Sequence, residues 1–170
     1  MGGGGGPSAS STPVVSVANV QPLGESKPAG SSVDFEALRK QAEADAGNAI
    51  GWTRLGNAYF DADMPALSIE AYKKSLAIDA GNADVWTDLG VMYRRNNEPE
   101  RAVEIFNRAL VANPGHETAR FNKGIVLLHD LKDVAGAVAT WEELVRLNPG
   151  ATTPTGQPVR QLIEDVRKGG

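Results

Sequence analysis

The segment ADVWTDLGVMYRR, residues 83–95, carries the strongest signal in the chain, because its spacing occurs more than once. Its Trp, Leu, Gly and Tyr follow one another at intervals of three, one and three residues. Thirty-four residues upstream, AIGWTRLGNAYFD at 49–61 has the same four residue types at the same spacing, while most residues between them differ. A period of this length is the sequence signature of a repeat architecture.

A third copy follows with more substitutions. Laid out in rows of 34, the chain aligns Gly56, Gly90 and Gly124 in one column, and one inserted residue near 129–133 restores the alignment of what comes after it. The periodic part of the chain therefore holds three rows.

Each row contains two amphipathic stretches, which predict a pair of helices. Along 83–95 the apolar residues fall at i, i+3/i+4 and i+7, which is one face of an α-helix. Pro114 in the ANPG segment predicts the end of the second helix, because Pro cannot continue a helix. We predict Asp63 and Asn97 as N-caps of the second helices, since both residue types accept hydrogen bonds from free backbone N–H groups.

The rows resemble the tetratricopeptide repeat, a helix-turn-helix unit of 34 residues. The middle row matches the family pattern at every signature column, whereas the first row has Ser68 and Ser75 where Ala is usual. The third row departs more, because Arg120 and Lys123 stand in the Trp and Leu columns. We interpret the retained columns as structural: Trp52, Leu55, Gly56, Tyr59, Tyr72, Trp86, Leu89, Gly90, Tyr93, Ala102, Phe106, Ala109, Pro114, Gly124, Trp141 and Pro149.

The resemblance implies an all-α fold, a right-handed α-solenoid (superhelix) of stacked antiparallel helix pairs with about eight helices. Residues 1–32, rich in Gly, Ser and Pro, are predicted to form a flexible tail or tether. The predicted repeat domain at 33–168 divides into an N-terminal capping helix at 33–46, repeat 1 at 49–82, repeat 2 at 83–116, repeat 3 at 117–150 and a C-terminal capping helix at 157–168.

The glycine column has a physical explanation. A glycine lets the two helices of a hairpin approach where a side chain would hold them apart, and the large residues are expected to fill the gap between hairpins. Truncating one of those large aromatic residues to Ala is expected to cost about 3–5 kcal/mol.

The resemblance also implies that the first helices line a concave groove. Variable positions on these helices are the predicted partner-binding residues: Asn57, Phe60, Asp84, Asp88, Val91, Arg94, Arg95, Phe121, Asn122, Ile125 and Leu128. Family members that clamp the carboxylate end of chaperone peptides use Lys and Asn in the first repeat, Asn in the second, and Lys and Arg in the third. The corresponding residues here are Thr53, Asn57, Asp88, Phe121 and Ile125, so only Asn57 matches and no carboxylate clamp is predicted.

Two arrangements of repeat 3 stay open. Phe121, Ile125 and Leu128 either form an apolar strip in the groove, or turn inward because Arg120 and Lys123 turn outward. In the first arrangement the strip lies beside the polar residues Arg54, Arg94, Arg95, Asp84 and Asp88. A partner segment with apolar anchors and a few acidic groups would then suit the groove.

Composition excludes several functions. The net charge of −4 gives no electrostatic footprint for nucleic acid, and the absence of cysteine excludes disulfides, thiolate metal sites and cysteine nucleophiles. His116 and His129 have no third ligand at a convincing spacing, and no catalytic motif is present. We therefore predict no catalytic residue, no metal and no cofactor.

The sequence thus predicts a non-enzymatic adaptor or scaffold that binds a protein or peptide segment in its groove during assembly of a larger complex, as a monomer or weak homo-oligomer. One alternative is a bacterial envelope factor for cytochrome biogenesis or secretion, tethered by an anchor ahead of Met1. The other is a self-associating structural module. No run of about 18 apolar residues occurs, so no direct membrane insertion is predicted. The compartment stays open between cytoplasm and periplasm.

Overall fold

The computed structural model describes residues 32–169, so the predicted tail lies outside the described residues except for Ser32. The described part contains eight α-helices and, apart from one isolated β-bridge, no β-structure. The helices are α1 (Phe35–Ala44), α2 (Ala49–Asp61), α3 (Pro65–Ile78), α4 (Ala83–Arg95), α5 (Pro99–Ala112), α6 (Glu117–His129), α7 (Val134–Leu147) and α8 (Val159–Gly169).

The helices stack as successive hairpins. Helix α2 packs on α3, α4 on α5 and α6 on α7, and each hairpin also packs on the next through α3 with α4 and α5 with α6. At the ends, α1 covers α2 and α8 covers α7. The predicted all-α solenoid with eight helices is confirmed for the described residues.

Each hairpin is closed by an aromatic ring that lies over a glycine. A Cβ atom added to Gly56 would lie 2.5 Å from Cδ1 of Tyr72, and one added to Gly90 would lie 2.6 Å from Cε1 of Phe106. Both rings are fully buried and belong to the core cluster that joins successive hairpins. The sequence predicted these rings only between hairpins. They also fill the space above the glycine within their own hairpin.

The two serines that replace Ala in repeat 1 are buried and hydrogen-bonded. Ser68 Oγ donates to the carbonyl oxygen of Gly56 at 2.9 Å, and Ser75 Oγ lies 2.7 Å from Thr53 Oγ1. Because every fully buried polar side-chain atom among the described residues has a partner, these hydroxyls carry no desolvation penalty from an unmet hydrogen bond.

The predicted N-caps Asp63 and Asn97 are wrong. Both residues have positive φ, 54° and 60°, and they end the first helix of a hairpin instead of starting the second. Around Asn97, the amide of Glu98 donates to the Tyr93 carbonyl and the amide of Asn97 donates to the Arg94 carbonyl, which is the hydrogen-bond pattern of a Schellman motif. Asp and Asn tolerate the left-handed conformation, so the same residue types suit either role.

The substituted first helix of repeat 3 keeps the packing of the other repeats. Trp52 and Trp86 donate from Nε1 to the carbonyl oxygen six residues upstream, at 3.1 Å and 2.8 Å. Arg120 does the same from Nη1 to Pro114 at 2.8 Å and is only 8 % exposed. The alternative in which Arg120 turns outward is therefore wrong.

Candidate partner-binding groove

We define the groove face as the solvent-facing side of the three first helices α2, α4 and α6. Hydrogen bonds show that these helices share one surface: Asp84 of α4 contacts His116 at the start of α6, and Arg95 of α4 contacts the Phe60 carbonyl of α2. Among the predicted groove residues, the exposed ones are Asn57, Asp84 and Arg95, and the half-buried ones are Phe60, Asp88, Val91, Arg94, Phe121, Asn122, Ile125 and Leu128. None of the eleven is fully buried.

Asn57 of α2 and Tyr72 of α3 form a hydrogen bond between the two helices of the first hairpin. The Tyr72 hydroxyl donates to Asn57 Oδ1 at 2.8 Å. Burial, and next the charge of Asp88, raise the pKa of Tyr72 far above its usual value, so the hydroxyl keeps its proton. Asn57 thus has its side-chain oxygen occupied by the protein itself.

Asp88 is the most perturbed acid on this surface. Burial of its carboxyl group raises the pKa to about 6, and the neighbouring carboxylates of Asp84 and Asp61 act in the same direction. His116 acts in the opposite direction but does not cancel them. The carboxyl group of Asp88 therefore ionises less readily than a free one, because it is half-buried and has acidic neighbours.

The two arginines at the end of α4 are engaged by carboxylates of the chain. Arg94 Nε lies 2.6 Å from Asp130 Oδ2, and Arg95 Nη1 lies 3.3 Å from Asp63 Oδ1. The Arg95 guanidinium also stacks over the Phe60 ring at 4.5 Å from its centroid. Each of these arginines therefore already has a carboxylate partner within the chain.

His116 contacts the groove face although it is not among the predicted groove residues. Its Nδ1 accepts from the Ala119 amide at 3.1 Å, so it caps α6, while its Nε2 lies 2.9 Å from Asp84 Oδ1. A signal was available, because the residue stands directly before α6, where a side-chain acceptor is favoured. The contact with Asp84 spans 32 residues and has no local signal.

The α6 end of the groove face contains a hollow that is open to solvent. Its lining includes Thr118, Phe121 and Asn122 from α6, Leu144 from α7 and Thr153 from the segment before α8. Phe121 is held in place, because its ring stacks on Trp141 with centroids 6.0 Å apart and its carbonyl accepts from Trp141 Nε1.

The apolar strip of repeat 3 lies between groove and core. Phe121, Ile125 and Leu128 are half-buried and pack against the core cluster that contains Leu127 and Trp141. Each presents part of its surface to solvent and part to the core, although Arg120 does not turn outward.

Between residues 32 and 169, no group of three or more His, Asp or Glu side chains is placed to hold a metal ion. No helix in that range is long and apolar enough to cross a membrane.

Comparison with known proteins points to one family. Two tetratricopeptide repeat models match the chain, at residues 49–82 and 87–152. No curated protein matches in a sequence search.

The solved structures that resemble this chain share its fold at low identity. The crystal structure of MamA superposes with a TM-score of 0.70 and 24 % identity, covering 79 % of this chain and 75 % of that one. The first repeat domain of Spaghetti (RPAP3), bound to the HSP90 peptide SRMEEVD, gives 0.63 and 20 % identity, with 74 % and 94 % covered. The second repeat domain of human RPAP3, in complex with the HSP70 peptide SGPTIEEVD, gives 0.61 and 20 %, with 70 % and 94 % covered.

Proposed function

The chain belongs to the tetratricopeptide repeat family, and from that premise we propose that it is a non-catalytic adaptor that holds a segment of a partner protein against the groove face. The observation that carries this proposal is the hollow beside Phe121, which continues into a surface of exposed and half-buried side chains. A hollow with an apolar wall and polar neighbours is the usual form of a binding site for a side chain.

The repeat domains of RPAP3 bound to chaperone peptides support the mode of binding. They do not support the same ligand. Both peptides end in Glu, Glu, Val and Asp, whereas the centre of this groove face carries carboxylates, which repel such an ending. Assembly of a larger complex is the role we propose for the adaptor. Tethering at an envelope membrane and self-association stay predictions.

Site-specific photo-crosslinking in the source cells tests the proposal. A photoreactive amino acid replaces Asn57 or Asn122 on the groove face, and Asn107 on the exposed side of α5 serves as the matched control. We expect both groove positions to crosslink to the same partner and position 107 to give no adduct with it. An adduct from position 107 alone would refute binding at the groove face.

A further inference from the structure

The residue that caps the first helix of a repeat is different in repeat 3. Asn48, Asn82 and His116 stand 34 residues apart, and each directly precedes the first helix of a hairpin. All three side chains accept a hydrogen bond from a backbone amide in the first turn of that helix. The amide of asparagine does not titrate, whereas the charge of histidine ordinarily changes between pH 5 and 8. The cap of α6 can therefore take up a proton, unlike the caps of α2 and α4.

The two hydrogen bonds of His116 determine which ring nitrogen carries the proton of the neutral ring. Nδ1 lies 3.1 Å from the Ala119 amide nitrogen, and an amide N–H can only donate, so Nδ1 has no proton. Nε2 lies 2.9 Å from Asp84 Oδ1 and donates to that carboxylate. The neutral ring thus caps α6 with one nitrogen and holds α4 with the other.

The contact with the preceding helix is specific to the junction between repeats 2 and 3. In repeat 1, the position equivalent to Asp84 is Ile50, whose side chain offers no acceptor to the cap of the next first helix. The histidine and its carboxylate partner therefore occur together at one junction and are both missing from the preceding one. The ring is also held inside the structure, because the side chain of His116 is only 12 % exposed.

Protonation of Nδ1 changes the two contacts in opposite directions. A nitrogen that bears a proton cannot accept from the Ala119 amide, so α6 loses its cap, and a positive charge is unfavourable at the start of a helix. The contact with Asp84 becomes charge-assisted and is retained. That gain is small, since the Asp84 side chain is 89 % exposed and solvent screens the pair. Protonation therefore weakens the start of α6 more than it strengthens the contact with α4.

The charges around the ring come mainly from α4. The carboxylates of Asp84 and Asp88 both attract a proton to His116. The charged side chains at this end of α5, α6 and α7 have other partners: Arg108 with the Trp86 ring, Glu117 with Asn148, Arg120 with the Pro114 carbonyl, and Arg146 with Glu143.

We propose that His116 is a proton-operated switch between repeats 2 and 3: the neutral ring caps α6, and protonation of Nδ1 releases the first turn of α6 while Nε2 stays bound to Asp84. Glu117 and Thr118 of that turn line the hollow beside Phe121, so the switch acts on one wall of the hollow. The switch needs no bound partner and goes beyond the proposed function.

Nuclear magnetic resonance of the full-length protein tests the switch. Imidazole nitrogen shifts report which nitrogens of His116 bear protons, and amide exchange with solvent reports whether Ala119 is hydrogen-bonded. We expect a proton on Nε2 alone at pH 7.5 and protons on both nitrogens at pH 5. The protection factor of the Ala119 amide should fall about fivefold or more between these pH values. The Val85 amide donates to the Asn82 cap at 3.1 Å, so it is the internal control and its protection should not change.

Two variants at position 116 make the test specific. His116→Asn supplies the acceptor that repeats 1 and 2 use, so its Ala119 amide should stay protected at both pH values. His116→Ala has no acceptor, so the same amide should be unprotected at both.

Four results would overturn the switch. Two concern the ring: a proton on Nδ1 at pH 7.5, or a ring that stays neutral at pH 5. The other two concern the helix: protection of the Ala119 amide that does not change with pH in the unmodified protein, or a change of the same size in His116→Asn.

Discussion

Arg120 makes the same hydrogen bond to Pro114 that a tryptophan makes in each of the two preceding repeats. A long side chain ending in an N–H donor is sufficient to hold the preceding turn. The guanidinium replaces the indole in this role without turning the helix, which explains why the third repeat keeps the packing of the other two.

In repeat 3, where Arg120 replaces the tryptophan, the residue opposite it on the second helix also differs from that in repeats 1 and 2. Lys74 lies 4.2 Å above the centre of the Trp52 ring, and Arg108, 34 residues later, lies 5.6 Å above the Trp86 ring. In repeat 3, Glu143 stands at the position equivalent to Lys74 and Arg108, once the inserted residue is allowed for. A hydrogen bond from Arg146 lowers the pKa of Glu143, and the charge of Arg120 contributes in the same direction.

We predict that this pair of changes is energetically coupled. Arg120→Trp alone places an indole beside a carboxylate, so it should be less stable than the double variant Arg120→Trp with Glu143→Lys, which restores the cation above the ring. A double-mutant cycle from urea unfolding should give a favourable coupling between the two positions. Additive effects of the two substitutions would contradict the coupling.

The close contact between a glycine and an aromatic ring in each hairpin gives a second prediction. Gly90→Ala places a Cβ atom 2.6 Å from the Phe106 ring, which is fully buried, so the ring or the helix must shift. We expect a loss of about 1–3 kcal/mol in the free energy of unfolding. Gly47→Ala is the control, since nothing lies within 4 Å of its added Cβ, and it should change stability by less than about 0.5 kcal/mol. Equal effects of the two substitutions would exclude close packing as the reason why glycine recurs at this position in every repeat.

Asp88 gives a prediction about pH. Its folded pKa of about 6 lies above the reference value of 3.8, so the folded state binds the proton more tightly and ionisation costs stability. That cost is fully present above pH 6 and is lost as the pH falls from 6 to 3.8. Burial is its largest cause, and the charged groups that act on it are Asp84 of α4 itself, His116 at the start of α6 and Asp61 at the end of α2.

Asp88→Asn should therefore stabilise the protein at pH 7.5 by about 1 kcal/mol, after allowance for solvent screening of a half-buried group. The gain should vanish near pH 4, where the carboxyl group is neutral. Thermal unfolding of both proteins across this pH range measures it. A gain that does not change with pH would show that ionisation of Asp88 is not its cause.

Periodicity made the fold predictable from the sequence. The spacing of Trp86, Leu89, Gly90 and Tyr93 implies a helix with one packed face, and its recurrence implies neighbours of the same kind. Helix ends were less predictable, because Asn97 has a side chain suited to an N-cap and a backbone suited to the left-handed end of a helix.

The groove charges could not be predicted from local sequence. Arg94 meets Asp130 across 36 residues, and Arg95 meets Asp63 across 32, so their pairing depends on how hairpins stack. The half-buried state of Asp88 likewise depends on its neighbours in α2 and at the start of α6. Which charges remain for a partner is therefore a property of the assembled solenoid.

The crosslinks from positions 57, 122 and 107 test the central claim most directly, because they locate the bound partner on the surface of the protein whatever that partner is. We predict that one partner is captured from positions 57 and 122 on the groove face and that position 107 on α5 captures none. Capture from position 107, with none from either groove position, would contradict it.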